Sequence, residues 1–142
     1  MSDTPERQDY RHLQPISTRW QDSDPSGYIA AATVYAYFDT TVQAYLQQQA
    51  GLDLHEGEVQ GFVVSSAADF FALPAFPDTL EVGLRVARLA GSSVEYQLGL
   101  FRVGEEQPCA AGKVVQVFVE RASGRPMTLP AKLQAALLRL QG

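Results

Sequence analysis

The run IAAATVYAYFDTTVQAYLQQQ, Ile29 to Gln49, decides how this chain reads. Ala31, Val34, Phe38, Val42 and Tyr45 recur at spacings of three and four, the signature of one helical face. Ala30, Ala32, Ala36 and Tyr37 extend the apolar character around much of the cylinder, so the predicted helix is covered on more than one side. Gly51 stands where such a helix takes a C-terminal cap. With a rise of about 1.5 Å per residue the element is roughly 30 Å long. It is the central element of the chain.

Beyond a loop from Leu52 to Gln60 the apolar period changes to two. Phe62-Val63-Val64 opens a strand that runs toward Phe71, and Pro74 and Pro77-Asp78 mark its end. Leu80, Val82, Leu84 and Val86 alternate with Glu81, Gly83, Arg85 and Ala87, a strand with one buried face. After the turn Ala90-Gly91-Ser92-Ser93, Val94, Tyr96, Leu98 and Leu100 alternate in the same way. Gly104-Glu105-Glu106 supplies another turn, and Val115, Val117 and Val119 mark a last strand. Pro130 opens a short C-terminal helix, Ala131 to Leu140. Ahead of the central helix, Met1 to Gln14 is a polar lead-in and Ile16 to Gln21 a short strand. Four consecutive strands form an antiparallel meander whose apolar faces need a cover, and only Ile29–Gln49 is long and apolar enough to provide it. The expected class is therefore α+β: a curved antiparallel sheet wrapped around a long central helix, with a short C-terminal helix. A cone-shaped α+β barrel competes, but it wants several helices before the strands.

With 142 residues the chain supports one domain spanning 1–142, the first fourteen residues being the lead-in. A net charge of -5 with scattered basic residues argues against a nucleic-acid partner. Cys109 is the only cysteine, so no internal disulfide forms and nothing asks for an oxidising compartment. No apolar stretch nears a membrane span, and the start MSDTPERQDYRH has no secretory h-region. The expectation is a cytoplasmic protein without a membrane partner. His12 and His55 have no neighbouring ligands, so no metal is expected either.

The chemistry concentrates in Asp22-Ser23-Asp24-Pro25-Ser26-Gly27, where a strand hands over to the central helix. The spacing imitates the start of a calcium loop, but the twelfth position is Thr33 instead of a bidentate Glu, and no helix precedes it. As ordinary turn chemistry, Asp and Ser bond nearby backbone, Pro fixes φ and Gly permits the bend. Position adds a functional reading. The first N–H groups of a helix lack partners and sit at its positive end, so they can hold a carbonyl oxygen that becomes negative during acyl transfer. A carboxylate beside them can act as general base for water or attack the carbonyl itself. Asp24 is the candidate for that work, and Asp22 is read as structural.

Asp22-Ser23-Asp24-Pro25-Ser26-Gly27-Tyr28-Ile29, followed by Tyr37-Phe38-Asp39, resembles the 4-hydroxybenzoyl-CoA thioesterase-like branch of the hotdog-fold acyl-CoA thioesterases. Gly61-Phe62-Val63-Val64 and Pro74-Ala75-Phe76-Pro77-Asp78-Thr79-Leu80 continue the likeness, which covers about Ile16 to Val119. The resemblance implies hydrolysis of an acyl-CoA thioester to acid and thiol, with coenzyme A as part of the substrate and no separate cofactor. It puts the catalytic carboxylate on Asp24 and the oxyanion-binding backbone N–H on Ala31. It puts the acyl pocket on Tyr28 and, across a homodimer, on Gly61, Phe62 and Val63; dimers of this family often pair into tetramers. Many relatives carry Gly-His-Val-Asn-Asn where this chain has Gly27-Tyr28-Ile29-Ala30-Ala31. That departure motivates the alternative, a non-catalytic module binding acyl-CoA or an acyl-carrier-protein thioester.

Overall fold

The computed structural model describes residues 4–142. The helix-forming run behaves as its spacing demands: α1 runs Ala31–Ala50 and stops at Gly51, whose φ of 66° is the left-handed cap geometry. The strands are β1 (His12–Ser17), β2 (Val59–Phe70), β3 (Thr79–Ala90), β4 (Ser93–Arg102) and β5 (Ala110–Glu120), and α2 (Ala131–Leu138) closes the chain. All pairings are antiparallel, in the spatial order β1-β3-β4-β5-β2. The sheet wraps α1, burying Val34, Phe38, Val42 and Leu46 against Leu80, Leu84, Leu98, Leu100, Val114 and Phe118. This is the hotdog arrangement. α2 packs beside α1, where the Tyr45 hydroxyl donates to the Ala136 carbonyl at 2.6 Å.

Three features differ from the expectation. The four strands do not form one meander: β3, β4 and β5 do, but β2 crosses to the far side of β5. The connection from Phe70 to Thr79 is too long and too rich in proline for a hairpin, and Asp78 holds it by accepting from Ala75 N–H at 3.0 Å and from Arg102 Nε at 3.3 Å. Next, β1 starts at His12 instead of Ile16 and ends at Ser17; Pro15 interrupts its alternation but is tolerated because β1 is an edge strand. Finally, Val114, Gln116 and Phe118 face the core, and the half-buried Val115 and Val117 lie on the opposite face.

The lead-in is thereby partly absorbed into the fold. Tyr10 is buried on the outer face of the sheet, and a Cβ at Gly83 or Gly99 would lie 2.6 or 2.7 Å from its side chain. Phe101 meets the ring edge-on at 5.7 Å. Met1 to Asp3 lie outside the described residues. No helix among the described residues is long and apolar enough to cross a membrane.

Candidate active site

Asp22 to Ala30 folds as a small hairpin that delivers the chain to α1. Ala30 N–H donates to the Asp22 carbonyl at 3.0 Å, Ser23 bridges Ile29, and Asp24 N–H donates to the Tyr28 carbonyl at 3.0 Å. Gly27, at φ 89°, makes the tip, a conformation that a side chain would strain. Ile29 N–H donates to the Pro74 carbonyl at 2.9 Å, which ties the hairpin to the β2–β3 connection.

The two aspartates of this hairpin are separated by one serine and live in opposite surroundings. Asp22 is buried, and its carboxylate accepts from Tyr37 Oη at 2.8 Å, from Arg19 N–H at 3.0 Å and from the Arg19 guanidinium at 3.4 Å. Burial alone would push its acidity down, but the Tyr37 hydroxyl and the Arg19 contacts outweigh it and hold Asp22 below the ordinary carboxylate range. Tyr37 is correspondingly pushed up by burial and by its anionic partner. Asp22 is a brace between hairpin and helix.

Asp24 is exposed, two ladder positions further out, or about 7 Å along the strand direction. Its Oδ1 accepts from Ser26 N–H at 2.8 Å and from the Ser26 hydroxyl through a short hydrogen bond. Those bonds, the hydroxyl first, keep the carboxyl below its ordinary range and therefore ionised at neutral pH. At the start of α1, the Ala30 carbonyl accepts from Thr33 and Val34 N–H. No side chain caps the helix, and the N–H groups of exposed Ala31 and Ala32 donate no hydrogen bond among the described residues. The hairpin thus presents one ionised carboxylate, and the positive end of the helix that follows it presents two N–H groups without an acceptor among the described residues.

Asp24, the half-exposed Tyr28 and Ala31 thus share one continuous segment, whereas Gly61, Phe62 and Val63 lie apart on the edge strand β2. No hydrogen bond or ring contact joins the two groups within one chain among the described residues. Trp20 and Phe76, both exposed, meet edge-on at 6.1 Å beside the hairpin. Arg102 is engaged with Asp78 and the Leu73 carbonyl, so it is not an open cation. Cys109 is buried, and burial pushes its thiol up, away from nucleophilic use.

Sequence reasoning missed a cavity of about 280 Å³ between α1 and the β2–β5 edge. Asp39, Gln43, Leu46, Leu52, Gly61, Gln116 and Phe118 line it with their neighbours. The available signal was Gln116 itself, a polar residue inside the apolar run Val114–Val119.

The family described as the thioesterase-like superfamily matches residues 18–137. Among solved structures, the PA5185 protein of Pseudomonas aeruginosa PAO1 is 54% identical over 98% of this chain and 97% of its own, with a TM-score of 0.95. A thioesterase of Thermus thermophilus, solved with coenzyme A and zinc, is 26% identical over 94% of this chain and 96% of its own, at TM-score 0.79. Slr0204 of Synechocystis, a 1,4-dihydroxy-2-naphthoyl-CoA thioesterase, shares the fold: 18% identity, 89% of this chain, 94% of its own and a TM-score of 0.79. No curated protein gives a significant match.

Proposed function

The chain belongs to the thioesterase-like superfamily, and from that premise we propose that it hydrolyses an acyl-CoA thioester to a free acid and a thiol, with Asp24 and the Ala31 N–H as its catalytic groups. What supports the reading is an ionised Asp24 on the hairpin that leads into α1, whose first N–H groups donate no hydrogen bond among the described residues. The thioester carbonyl is directed to the Ala31 N–H, where the helix end favours the negative charge that develops on oxygen. Asp24 then either takes a proton from the attacking water or attacks the carbonyl carbon itself; in both roles it must be ionised. The departing thiolate is a good leaving group and asks for no dedicated acid from the protein.

The acyl group is assigned to Tyr28 of one subunit and to Gly61, Phe62 and Val63 of a second copy. The exposed apolar edge of β2 supports that homodimer, since Phe62 and Val63 remain 49% and 46% exposed in a single chain. The coenzyme A complex of the Thermus thermophilus relative supports coenzyme A over a carrier protein as the thiol.

The test is turnover of a panel of acyl-CoAs by wild type and by Asp24→Asn. A fall in kcat of about a hundredfold or more is expected, the size general-base or nucleophile removal produces. Undiminished turnover in the variant rejects the role of Asp24. Acyl-CoA binding without hydrolysis by wild type would instead make the protein an acyl-thioester carrier.

A further inference from the structure

Gln116 sits in the middle of the buried face of β5 at 1% exposure, where Val114 and Phe118 on either side are apolar. Its Oε1 accepts from the Tyr96 hydroxyl at 2.8 Å. Tyr96 is itself fully buried, so this bond holds the amide in place. The Nε2 group has two N–H donors, and no hydrogen bond from them is formed among the described residues. Lining the cavity, the amide can donate to a molecule bound there, and a ligand that covers it without an acceptor leaves it unpaired at a cost.

The surrounding space is shaped for such a molecule. Gln116 lines the cavity between α1 and the β2–β5 edge, and so does Gly61. A Cβ at Gly61 would collide with the Gln116 amide nitrogen, so the glycine lets the amide lie against the β2 backbone at the cavity wall. Leu46, Leu52 and Phe118 supply an apolar wall, and Gln43 and Gln60 add two amides to the lining, neither of them buried as Gln116 is. Asp39 is the one charged residue of the lining, and no lysine or arginine joins it. An anionic end group would meet repulsion there; a neutral oxygen would not.

We infer that Gln116 is a specificity-determining residue, whose amide N–H donates to a neutral oxygen, hydroxyl or carbonyl, carried on the far part of the acyl group. Tyr96 is its positioning residue, and Gly61 leaves the room in which the amide lies against β2. The inference rests on the acyl-thioester reading above and deepens it. A cavity closed only by leucine and phenylalanine would favour plain hydrocarbon. One ended by an unpaired amide rejects hydrocarbon, because binding it leaves the N–H groups unbonded.

The experiment is a binding measurement with ligands that cannot be hydrolysed, so it does not depend on the assignment of Asp24. Thioether analogues of medium-chain acyl-CoAs of equal length, with and without a terminal hydroxyl, are titrated calorimetrically against wild type, Gln116→Met and Tyr96→Phe. Wild-type lining should prefer the hydroxylated ligand by about tenfold, the size of one neutral hydrogen bond. Gln116→Met should bind both ligands alike while keeping the affinity for the plain chain, and Tyr96→Phe should lose most of the preference. If Gln116→Met fails to fold, Tyr96→Phe still reads the positioning of the amide. Equal binding of the two ligands by the wild-type lining, no binding of either, or a preference that survives both substitutions overturns the inference. Full turnover by Asp24→Asn would reject the catalytic role of Asp24 and leave the specificity reading standing.

Discussion

Two aspartates of the same hairpin show how one side chain serves opposite ends. Asp24 is exposed and held ionised by Ser26, so the acid limb of kcat/KM against pH should lie below the ordinary carboxylate range. Ser26→Ala removes the hydroxyl and returns the acid limb toward that range, to higher pH; a profile that does not move would mean that another group titrates in the rate. Asp22 is buried and accepts from Tyr37, so Tyr37→Phe should cost about 1.5–3 kcal/mol in urea unfolding near neutral pH. The sign follows from linkage. The folded protein holds Asp22 below its unfolded value, so its contribution is present above the unfolded value and is lost as pH falls through the folded one. Variant and wild type should therefore converge in acid. The structural reading of Asp22 was legible in the sequence, although nearness to the helix along the chain, which favours Asp24, is reversed in space. Asp22 is tied to α1 through Tyr37 and to Ala30 through its carbonyl, and Asp24 lies further out on the hairpin. Tyr37 as the partner of Asp22 was not legible: the residues are fifteen apart, and only the closure of the hairpin onto α1 brings them together.

At the level of elements, α1 was legible because its three-and-four spacing and Gly51 agree on one answer. The last strand was harder. Val114 to Val119 is apolar on both faces apart from Gln116, so period-two reading cannot choose between the faces, and a one-residue shift exchanges them. Packing makes the choice at Gly112. A Cβ there would lie 2.7 Å from the Phe38 ring and 2.8 Å from the Ala67 carbonyl, so helix and sheet approach each other through the missing side chain. Gly112→Ala should then destabilise the protein by about 1–3 kcal/mol in urea, the usual cost of overpacking a filled core. Gly91→Ala serves as the contrast: it meets nothing within 4 Å, so whatever it costs comes from its φ of 60° and not from packing. The crossing of β2 to the far edge was not legible, since strand pairing is a long-range property and local alternation is the same whichever neighbour a strand takes.

The whole molecule has two sheet edges, and they are built differently. β1 is six residues long and carries Pro15, both devices that discourage pairing with another chain. β2 is twelve residues long and shows no charge before Asp69, and its outer edge has no partner among the described residues. A register shift between Val63 and Ser65 leaves Val64 unmatched and 61% exposed, next to Phe62 and Val63. Phe71 and Leu73 extend the apolar surface beyond the strand. Such an edge is open to pairing with a second chain, and the proposed site would give that pairing a purpose, because it draws Gly61, Phe62 and Val63 from one copy and Asp24 and Ala31 from the other. Val64→Arg tests both points at once. The arginine has room in a single chain, so fold and thermal stability should persist, whereas two copies meeting at this edge would bring like charges together. Light scattering should report a monomer for the variant and a dimer for the wild type. Hydrolysis should fall together with assembly and return in part at protein concentrations that restore the dimer. A monomer that hydrolyses at the wild-type rate would show that one chain holds the complete site, and a variant that stays dimeric would move the interface to another face.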